Sequence, residues 1–450
     1  MYDLIVIGGG PAGYYAAEKA GKAGLSTLLV EKSQIGGVCL NEGCVPSKTM
    51  LHSAGLFASA ASAGKFGVTA AGVKFDLAAV MARKQKIVES LRSGIAFTLK
   101  KCNVETCAGL AVIKGKTGGG FKVAVLEKEF EAKRLLVCTG SEAMRLDLPG
   151  MEQEFVMTSR EILNVASIPQ AMAVIGAGAI GLEFAVFFAE AGSRVTVIEM
   201  LPQIGGAIDK DISKALQREL EKKGIVFHCQ ATVMSAGDHS VTFEIGGTMQ
   251  TLSSDIALVS VGRRPAVMGI GLETLGVAVE KGAITTDEKG RTNVSGVWAA
   301  GDVNGKSMLA HTAYREAQVC VDDMLGREAR VNYRAIPSVI YTHPEAACVG
   351  LTKEEALGRG IQAKEVRLPM GYNSRYSAET DGARGLVKAV TDEKSGKLIG
   401  MHMVGDHCSE IIFGAALMIE KGMTVEDISS VVFPHPTVSE MIKDTIAQFS

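Results

Sequence analysis

Aromatic residues are scarce in this chain of 450 residues, 5% with a single tryptophan, so a base-stacking platform for nucleic acid is not expected. Charge of one sign is missing as well. Lys and Arg number 47 against 49 Asp and Glu, and a formal charge of -2 steers the chain toward no polyanion. No run of 18 or more apolar residues occurs, which excludes a membrane-spanning helix. The opening MYDLIVIGGG has no basic leader before a long apolar stretch, so no signal peptide is expected. The nine cysteines are scattered and odd in number, unlike the framework of a secreted disulfide protein. A cytosolic, reduced protein fits, in which a disulfide would be catalytic or redox-sensing. What is plentiful is apolar residue, 47%, and glycine, 52 in all. Length and composition predict a globular protein of two to four domains.

The glycines recur in a pattern. DLIVIGGGPAGYYAAEKAGKAGLSTLLVEK (3–32) reads as strand, glycine turn, helix and strand, and AMAVIGAGAIGLEFAVFFAEAGSRVTVIEM (171–200) reads the same way. The glycines are Gly8, Gly10 and Gly13 in one copy and Gly176, Gly178 and Gly181 in the other. From first glycine to terminal acid, Glu31 or Glu199, is 23 residues in both. This is the dinucleotide fingerprint: one glycine for the turn, one for close approach to a pyrophosphate, one for helix–strand packing, and an acid for ribose hydroxyls. A single match also occurs in ligand-free turns. Two matches with the right flanking elements point to two dinucleotides and electron transfer between them. Glu199 would repel a 2′-phosphate and the following MLPQ has no basic residue, which favours NAD over NADP.

GGVCLNEGCVPSK (36–48) follows Glu31 and holds Cys39 and Cys44. Its glycines permit close approach to a flat cofactor, and VPSKTMLHSA reads as a helix start with Pro46 in the first turn. Cys44 then lies near a positive helix end, which favours a thiolate. A metal site would need further ligands at regular spacing, and no partner pair is found, so no metal is expected. Cys102 and Cys107 share the spacing but lack the glycines and the helix start. NVETCAG reads as an ordinary strand edge with structural cysteines.

GGVCLNEGCVPSK resembles the redox-active stretch of the flavin disulfide oxidoreductases, and the likeness covers essentially the whole chain. The resemblance implies FAD at the first fingerprint and NAD at the second. It implies that Cys44 is the thiol nearest the flavin, that Cys39 is the interchange thiol that attacks substrate, and that Lys48 and Glu183 are a lysine–carboxylate pair beside the flavin. A solvated helix lysine is the plain alternative for Lys48. LLVCTGS (135–141) resembles the strand-turn with Thr139 and Gly140 near FAD, and GLA (109–111) the segment where Ala111 meets its adenine end. VSVGRRP (259–265) resembles the return to the FAD domain, with Gly262 and Arg263 near NAD. VWAAGDV (297–303) resembles a second FAD signature, in which Asp302 bonds the ribityl chain. Around Ala310, MLAHTA resembles the backbone approaching the flavin ring.

The last 120 residues differ in texture. RGLVKAVTDEKSGKLIGMHMVG (384–405) reads as two strands joined by a polar turn, and SEIIFGAALMIEKG as an apolar helix ended by Gly422. His435, between two prolines, is displayed rather than packed. The resemblance makes it the acid/base, acting on the cysteines of the second subunit of a homodimer, with Glu440 holding its ring. Thr437 and Glu440 also spell a capping box, and the residues alone leave both readings open. The expected fold class is α/β: two Rossmann-like dinucleotide-binding domains plus a C-terminal α+β dimerisation domain. Expected limits are 1–140 for the FAD domain, 141–261 for the NAD domain, 262–331 completing the FAD domain and 332–450 for the interface domain. VIYTHPEAACVG (339–350) and NSRYSAETDGARGLVK (373–388) look closer to family members acting on dihydrolipoyl groups, and the tail TIAQFS lacks the extra redox residues of other members. The implied activity is oxidation of protein-bound dihydrolipoamide with NAD⁺, and the implied partner a lipoyl domain of a 2-oxoacid dehydrogenase or glycine-cleavage complex. Alternatives are another NAD(P)H-dependent flavin disulfide reductase and a moonlighting flavoprotein of the same fold.

Overall fold

The computed structural model describes residues 1–382 and 384–449. Ala383, inside the stretch 373–388 quoted above, and Ser450, the end of TIAQFS, lie outside the described residues. The chain forms two compact units. One comprises Met1–Thr49, Ala79–Met144 and Gly262–Val331, and the other Met50–Ala78, Arg145–Val261 and Asn332–Ser450. Among the described residues, no helix is long and apolar enough to cross a membrane.

In the first unit, five parallel strands lie in the order Val297–Ala299, Leu135–Val137, Leu4–Ile7, Thr27–Glu31, Glu105–Ala108. LIVI and TLLV are continuous apolar runs because both faces of the sheet are covered. Alternation divides them: Leu4, Val6 and Leu29 face the helices Pro11–Lys22 and Ala310–Met324, while Ile5, Ile7 and Val30 pack with the antiparallel meander Ala111–Thr117, Gly120–Val125, Lys128–Ala132. Truncating Leu136, fully buried on the strand Leu135–Val137, to alanine would cost about 2–5 kcal/mol. Cys107 lies on the edge strand Glu105–Ala108, and Cys102 is buried just after the helix Leu77–Lys101.

The second unit holds two five-stranded sheets. The parallel one runs Val226–Cys229, Arg194–Glu199, Ala171–Ile175, Ile256–Val259, Val156–Met157. Its helix Ala179–Glu190 is apolar nearly all round and accordingly buried. The antiparallel one runs Ser338–Ile340, Glu345–Gly350, Leu398–Gly405, Leu386–Asp392, Ala363–Pro369. Met401, Met403, Val387 and Ala389 pack with Ile412 and Ala415 of the helix Cys408–Lys421 and with Met441 and Ile442 of the helix Glu440–Ile446. On neighbouring strands Cys348, His402 and Lys388 stand in register. There the Lys388 ammonium, 1% exposed, bonds Asp209 Oδ2 at 2.7 Å, Asp211 Oδ2 at 2.9 Å and Glu365 Oε2 at 3.1 Å. The other oxygen of Asp209 caps the helix Lys210–Glu221, accepting from the backbone of Asp211 and Ile212.

Candidate active site

The two fingerprints fold alike down to single hydrogen bonds. In the first copy the Glu31 carboxylate accepts from the Gly9 N–H at 2.5 Å and from the Ser33 N–H at 2.8 Å. In the second, Glu199 accepts from the Ala177 N–H at 2.6 Å and the Leu201 N–H at 2.8 Å. The third glycines are required by space. A Cβ on Gly13 would stand 1.7 Å from the Gly8 carbonyl oxygen, and one on Gly181 2.1 Å from that of Gly176. Gly10 and Gly178 are helix N-caps with no side-chain acceptor, and neither helix has an acidic residue in its first turn. The terminal N–H groups and the positive helix end thus meet no protein anion within their own turn, as a dinucleotide phosphate requires.

The dithiol loop is built on the first fingerprint. Gly37 has φ of +60°, and a Cβ there would lie 2.5 Å from the Gly10 Cα, so the loop presses onto the fingerprint backbone. Cys39 lies in the short helix Gly37–Glu42, and Cys44 is the first residue of the helix Cys44–Ser62. Gly43 joins them at close quarters. A Cβ on it would sit 3.0 Å from the Val38 carbonyl oxygen and 3.3 Å from the Cys39 Cα, so the chain doubles back and returns Cys44 to Cys39. The thiols hydrogen-bond. That bond, then burial and the charge of Cys44, push the Cys39 thiol up, and Lys48 pulls it down. Cys39 is half-buried and Cys44 exposed.

The first unit also holds most of the other candidates. Thr139 and Gly140 follow the strand Leu135–Val137, and the Thr139 hydroxyl donates to the Ala266 carbonyl at 2.6 Å. Asp302 Oδ2 accepts from the Ser141 hydroxyl at 2.5 Å. Arg263, expected near NAD, donates to Ser141, from Nε to the hydroxyl at 2.7 Å and from Nη2 to the carbonyl at 2.8 Å. Gly262 precedes it and its carbonyl accepts from the Met144 N–H at 3.0 Å. Ala111 opens a meander strand, Ala310 opens the helix Ala310–Met324, and Lys48 is half-buried in the helix of Cys44.

In the second unit Glu183 is 5% exposed, and its carboxylate accepts from the Tyr341 N–H at 3.1 Å. His435 is 72% exposed, and its Nδ1 faces Glu440 Oε1 at 3.1 Å and Oε2 at 3.2 Å. Only half of the expected capping box forms. Glu440 Oε2 accepts from the Thr437 N–H at 3.0 Å, but the Thr437 hydroxyl donates to the Pro434 carbonyl and Ser439 is the N-cap. The Thr437 N–H and then His435 hold the Glu440 carboxyl below the usual carboxylate range.

Sequence reasoning missed Glu316, 3% exposed, whose Oε2 accepts from the Gly301 N–H at 2.6 Å and from Asn304 at 2.9 Å, fixing the turn of Asp302. The signal was a lone acid on the helical stripe of Thr312, Ala313, Ala317 and Cys320. Also missed was a hydrogen-bonded hydroxyl pair, Tyr14 and Tyr314, between the helices Pro11–Lys22 and Ala310–Met324.

Residues 2–317 match the family model described as pyridine nucleotide-disulphide oxidoreductase, and residues 336–446 match its dimerisation domain. The chain belongs to the pyridine nucleotide-disulphide oxidoreductases, whose cofactors are FAD and NAD, and it forms a homodimer. It is 38% identical over 455 residues to dihydrolipoyl dehydrogenase of Chlorobaculum tepidum, covering 99% of this chain and 96% of that one. It is 37% identical to the mitochondrial dihydrolipoyl dehydrogenase of Schizosaccharomyces pombe, covering 99% and 89%. Among solved structures, LpdA of Mycobacterium tuberculosis superposes with a TM-score of 0.90 at 26% identity over 99% of both chains. The side-chain-free helix N-termini and the sterically closed third glycines fit both cofactors.

Proposed function

We propose that the chain oxidises dihydrolipoyl groups to the cyclic disulfide and reduces NAD⁺ to NADH; its relatives named dihydrolipoyl dehydrogenase support the first half of this reading, and the second fingerprint with Glu199 supports the other. The observation that carries this reading is the meeting of Cys39 and Cys44 at the start of a 19-residue helix, on the backbone of the first fingerprint. The segments 1–140 and 262–331 would hold FAD through Gly8, Gly10, Gly13, Glu31, Lys48, Ala111, Thr139, Gly140, Asp302 and Ala310. The segment 141–261 would hold NAD through Gly176, Gly178, Gly181 and Glu199, with Gly262 beside it, and 332–450 would form the interface. Bound FAD supplies a two-electron carrier between the dithiol and the nicotinamide.

His435 of the second protomer takes the proton of the first substrate thiol at Nε2. Glu440 holds that ring through Nδ1. The substrate thiolate attacks Cys39 in the Cys39–Cys44 disulfide: a substrate–Cys39 bond forms, the Cys39–Cys44 bond breaks, and Cys44 leaves as thiolate. The helix N-terminus stabilises that charge. The second substrate sulfur then attacks the first, closing the cyclic disulfide and breaking the bond to Cys39. Cys39 departs as thiolate and takes the proton from His435. The second thiol's proton passes to the freed imidazole and on to solvent. The substrate loses two electrons and two protons; the dithiol gains both electrons and one proton. A lipoyl domain is the proposed partner and the cytoplasm the proposed location.

Cys44→Ser tests the reading. Expected is a yellow holoenzyme that no longer reduces NAD⁺ with dihydrolipoamide. A variant that keeps full activity would refute the roles given to both cysteines.

A further inference from the structure

The turn 34–37 that leads into the dithiol helix has two glycines of positive φ, Gly36 at +104° and Gly37 at +60°, and so has little side chain of its own to hold it. One tie comes from the fingerprint: the Gly36 N–H donates to the Gly9 carbonyl at 2.8 Å. The others come from Asn41. Its Nδ2 lies 2.9 Å from the Gly37 carbonyl oxygen, 3.2 Å from that of Ile35 and 3.4 Å from that of Gln34. A primary amide has two N–H groups. They serve the two shorter contacts, and the Gln34 carbonyl, which accepts from the Gly37 N–H at 3.1 Å, stands behind them. Three carbonyl oxygens around one atom also settle which end of the amide is nitrogen, since an oxygen there would meet only acceptors. The Asn41 Oδ1 is buried and has no hydrogen-bond partner among the described residues. Every hydrogen bond of this side chain therefore ends on the turn.

Asn41 lies two residues after Cys39 and three before Cys44, in the helix Gly37–Glu42. That helix is pressed on Gly10 through its first residue, Gly37, and bound through Asn41 to the chain that precedes it. At the other end of the loop the Ser47 hydroxyl donates to the Gly43 carbonyl at 2.6 Å, just before Cys44. Between the two ties the thiols of Cys39 and Cys44 hydrogen-bond. Closure of a dithiol depends on how often its sulfurs meet, and a segment free to swing lowers that frequency. We propose that Asn41 is a positioning residue for the interchange thiol: by tying the Ile35 and Gly37 carbonyls to the helix of Cys39, it holds Cys39 at Cys44 while the S–S bond is open and so favours the disulfide. No atom or electron passes to or from Asn41. The inference rests on the reading of Cys39 and Cys44 as a redox dithiol.

The test titrates the holoenzyme, without oxygen, in mixtures of reduced and oxidised dithiothreitol, traps free thiols with N-ethylmaleimide and follows Cys39 and Cys44 by peptide mass. The reagent's two thiols close to its cyclic disulfide and the Cys39–Cys44 bond opens. Two electrons pass to the protein sulfurs, and the reagent's protons go to those sulfurs and the buffer. Asn41→Leu keeps a similar side-chain volume and removes both donors. Its disulfide should open at a roughly tenfold lower ratio of reduced to oxidised reagent, a rise of about 30 mV in potential. FAD content should stay parental. A role confined to stability would lower Tm and leave the midpoint of the titration where it was, so a variant with the parental midpoint overturns the proposal. Arg92→Met is the control. Arg92 Nη1 donates to the Gln34 side chain at 2.7 Å, so this variant loosens the same turn but spares the carbonyl ties. Its midpoint should be parental, and a shift equal to that of Asn41→Leu would overturn the assignment to Asn41. Should Asn41→Leu fail to fold, Asn41→Ala decides: a shift of about threefold or more supports the proposal, and a smaller one overturns it. Dithiothreitol is neither a dihydrolipoyl substrate nor NAD⁺, so a wrong assignment of those leaves the titration readable. A parent that forms no Cys39–Cys44 disulfide overturns the dithiol reading and this inference with it.

Discussion

Glu440→Gln separates two uses of one carboxylate. Its Oε2 accepts from the Thr437 N–H at 3.0 Å, while both oxygens face His435 Nδ1 at 3.1 and 3.2 Å. Glutamine has one carbonyl oxygen and one NH₂. If the oxygen stays on the Thr437 N–H, the NH₂ faces Nδ1, which must then be the unprotonated nitrogen. The proton of the neutral ring moves to Nε2, and the ring can no longer take a proton there. The loss should approach the worth of a general base, about 10²-fold or more in kcat/KM for dihydrolipoamide. The start of the helix Glu440–Ile446 keeps its acceptor, so Tm should not move. The carboxyl is held below its usual range, so in the parent it stays ionised from pH 6 to 9 and the contrast should persist across that window. Reduction of an artificial acceptor by NADH, which bypasses the dithiol, should be preserved. A variant with parental kcat/KM from pH 6 to 9 and a lowered Tm would refute the reasoning and leave Glu440 a cap alone.

Gly181→Ala should raise KM for NAD⁺ at least about tenfold while the protein stays yellow, and Gly13→Ala should give colourless protein, since each added Cβ would sit within about 2 Å of a backbone oxygen of its own fingerprint; absorbance and NAD⁺ saturation curves read both. Lys388→Met should destabilise by about 3–5 kcal/mol in urea unfolding, because it leaves Asp209, 2% exposed, without its cation. The hydrogen bond from Lys388 holds Asp211 below its usual range, so its contribution is present above about pH 4 and disappears as pH falls through the folded value. Asp211→Asn should flatten that acid limb of the stability curve, and an unchanged limb would exclude Asp211 as its source.

The parts of the site legible in the sequence are those where one backbone geometry demands one residue type. Gly13 and Gly181 are such positions: any side chain there meets a carbonyl oxygen. Gly37 and Gly43 are others, and they marked Cys39 and Cys44 before any partner was known. His435 could be singled out because two prolines hold it out of the core. Glu316 and Lys388 could not. A charged residue is normally at the surface, and these two are buried only because Gly301 and Asn304, or Asp209 and Asp211, come to them from elsewhere in the chain. The Tyr14–Tyr314 pair was invisible for the same reason, its members being 300 residues apart. The course of Met50–Ala78, in the unit that also holds Arg145–Val261, left no local mark either, because helix propensity says nothing about which sheet a helix joins.

The duplication sharpens the assignment of roles. Both fingerprints make the same turn, close on the same steric limit and fold their acid back onto the residue after the first glycine. Nothing in that shared geometry distinguishes a tightly held cofactor from an exchangeable one. The distinction must come from what each copy is joined to. After Glu31 the chain runs directly into the dithiol loop, with Gly37 pressed on Gly10, so the two cysteines are built onto the first fingerprint. After Glu199 it makes a turn, with the Gly205 N–H donating to the Ala177 carbonyl, and enters the helix Lys210–Glu221 without any cysteine. The first copy is therefore suited to a carrier that stays beside the sulfurs, and the second to a nucleotide that comes and goes. Exchanging the segments 32–48 and 200–209 between the copies should consequently abolish dithiol oxidation even where both nucleotides still bind.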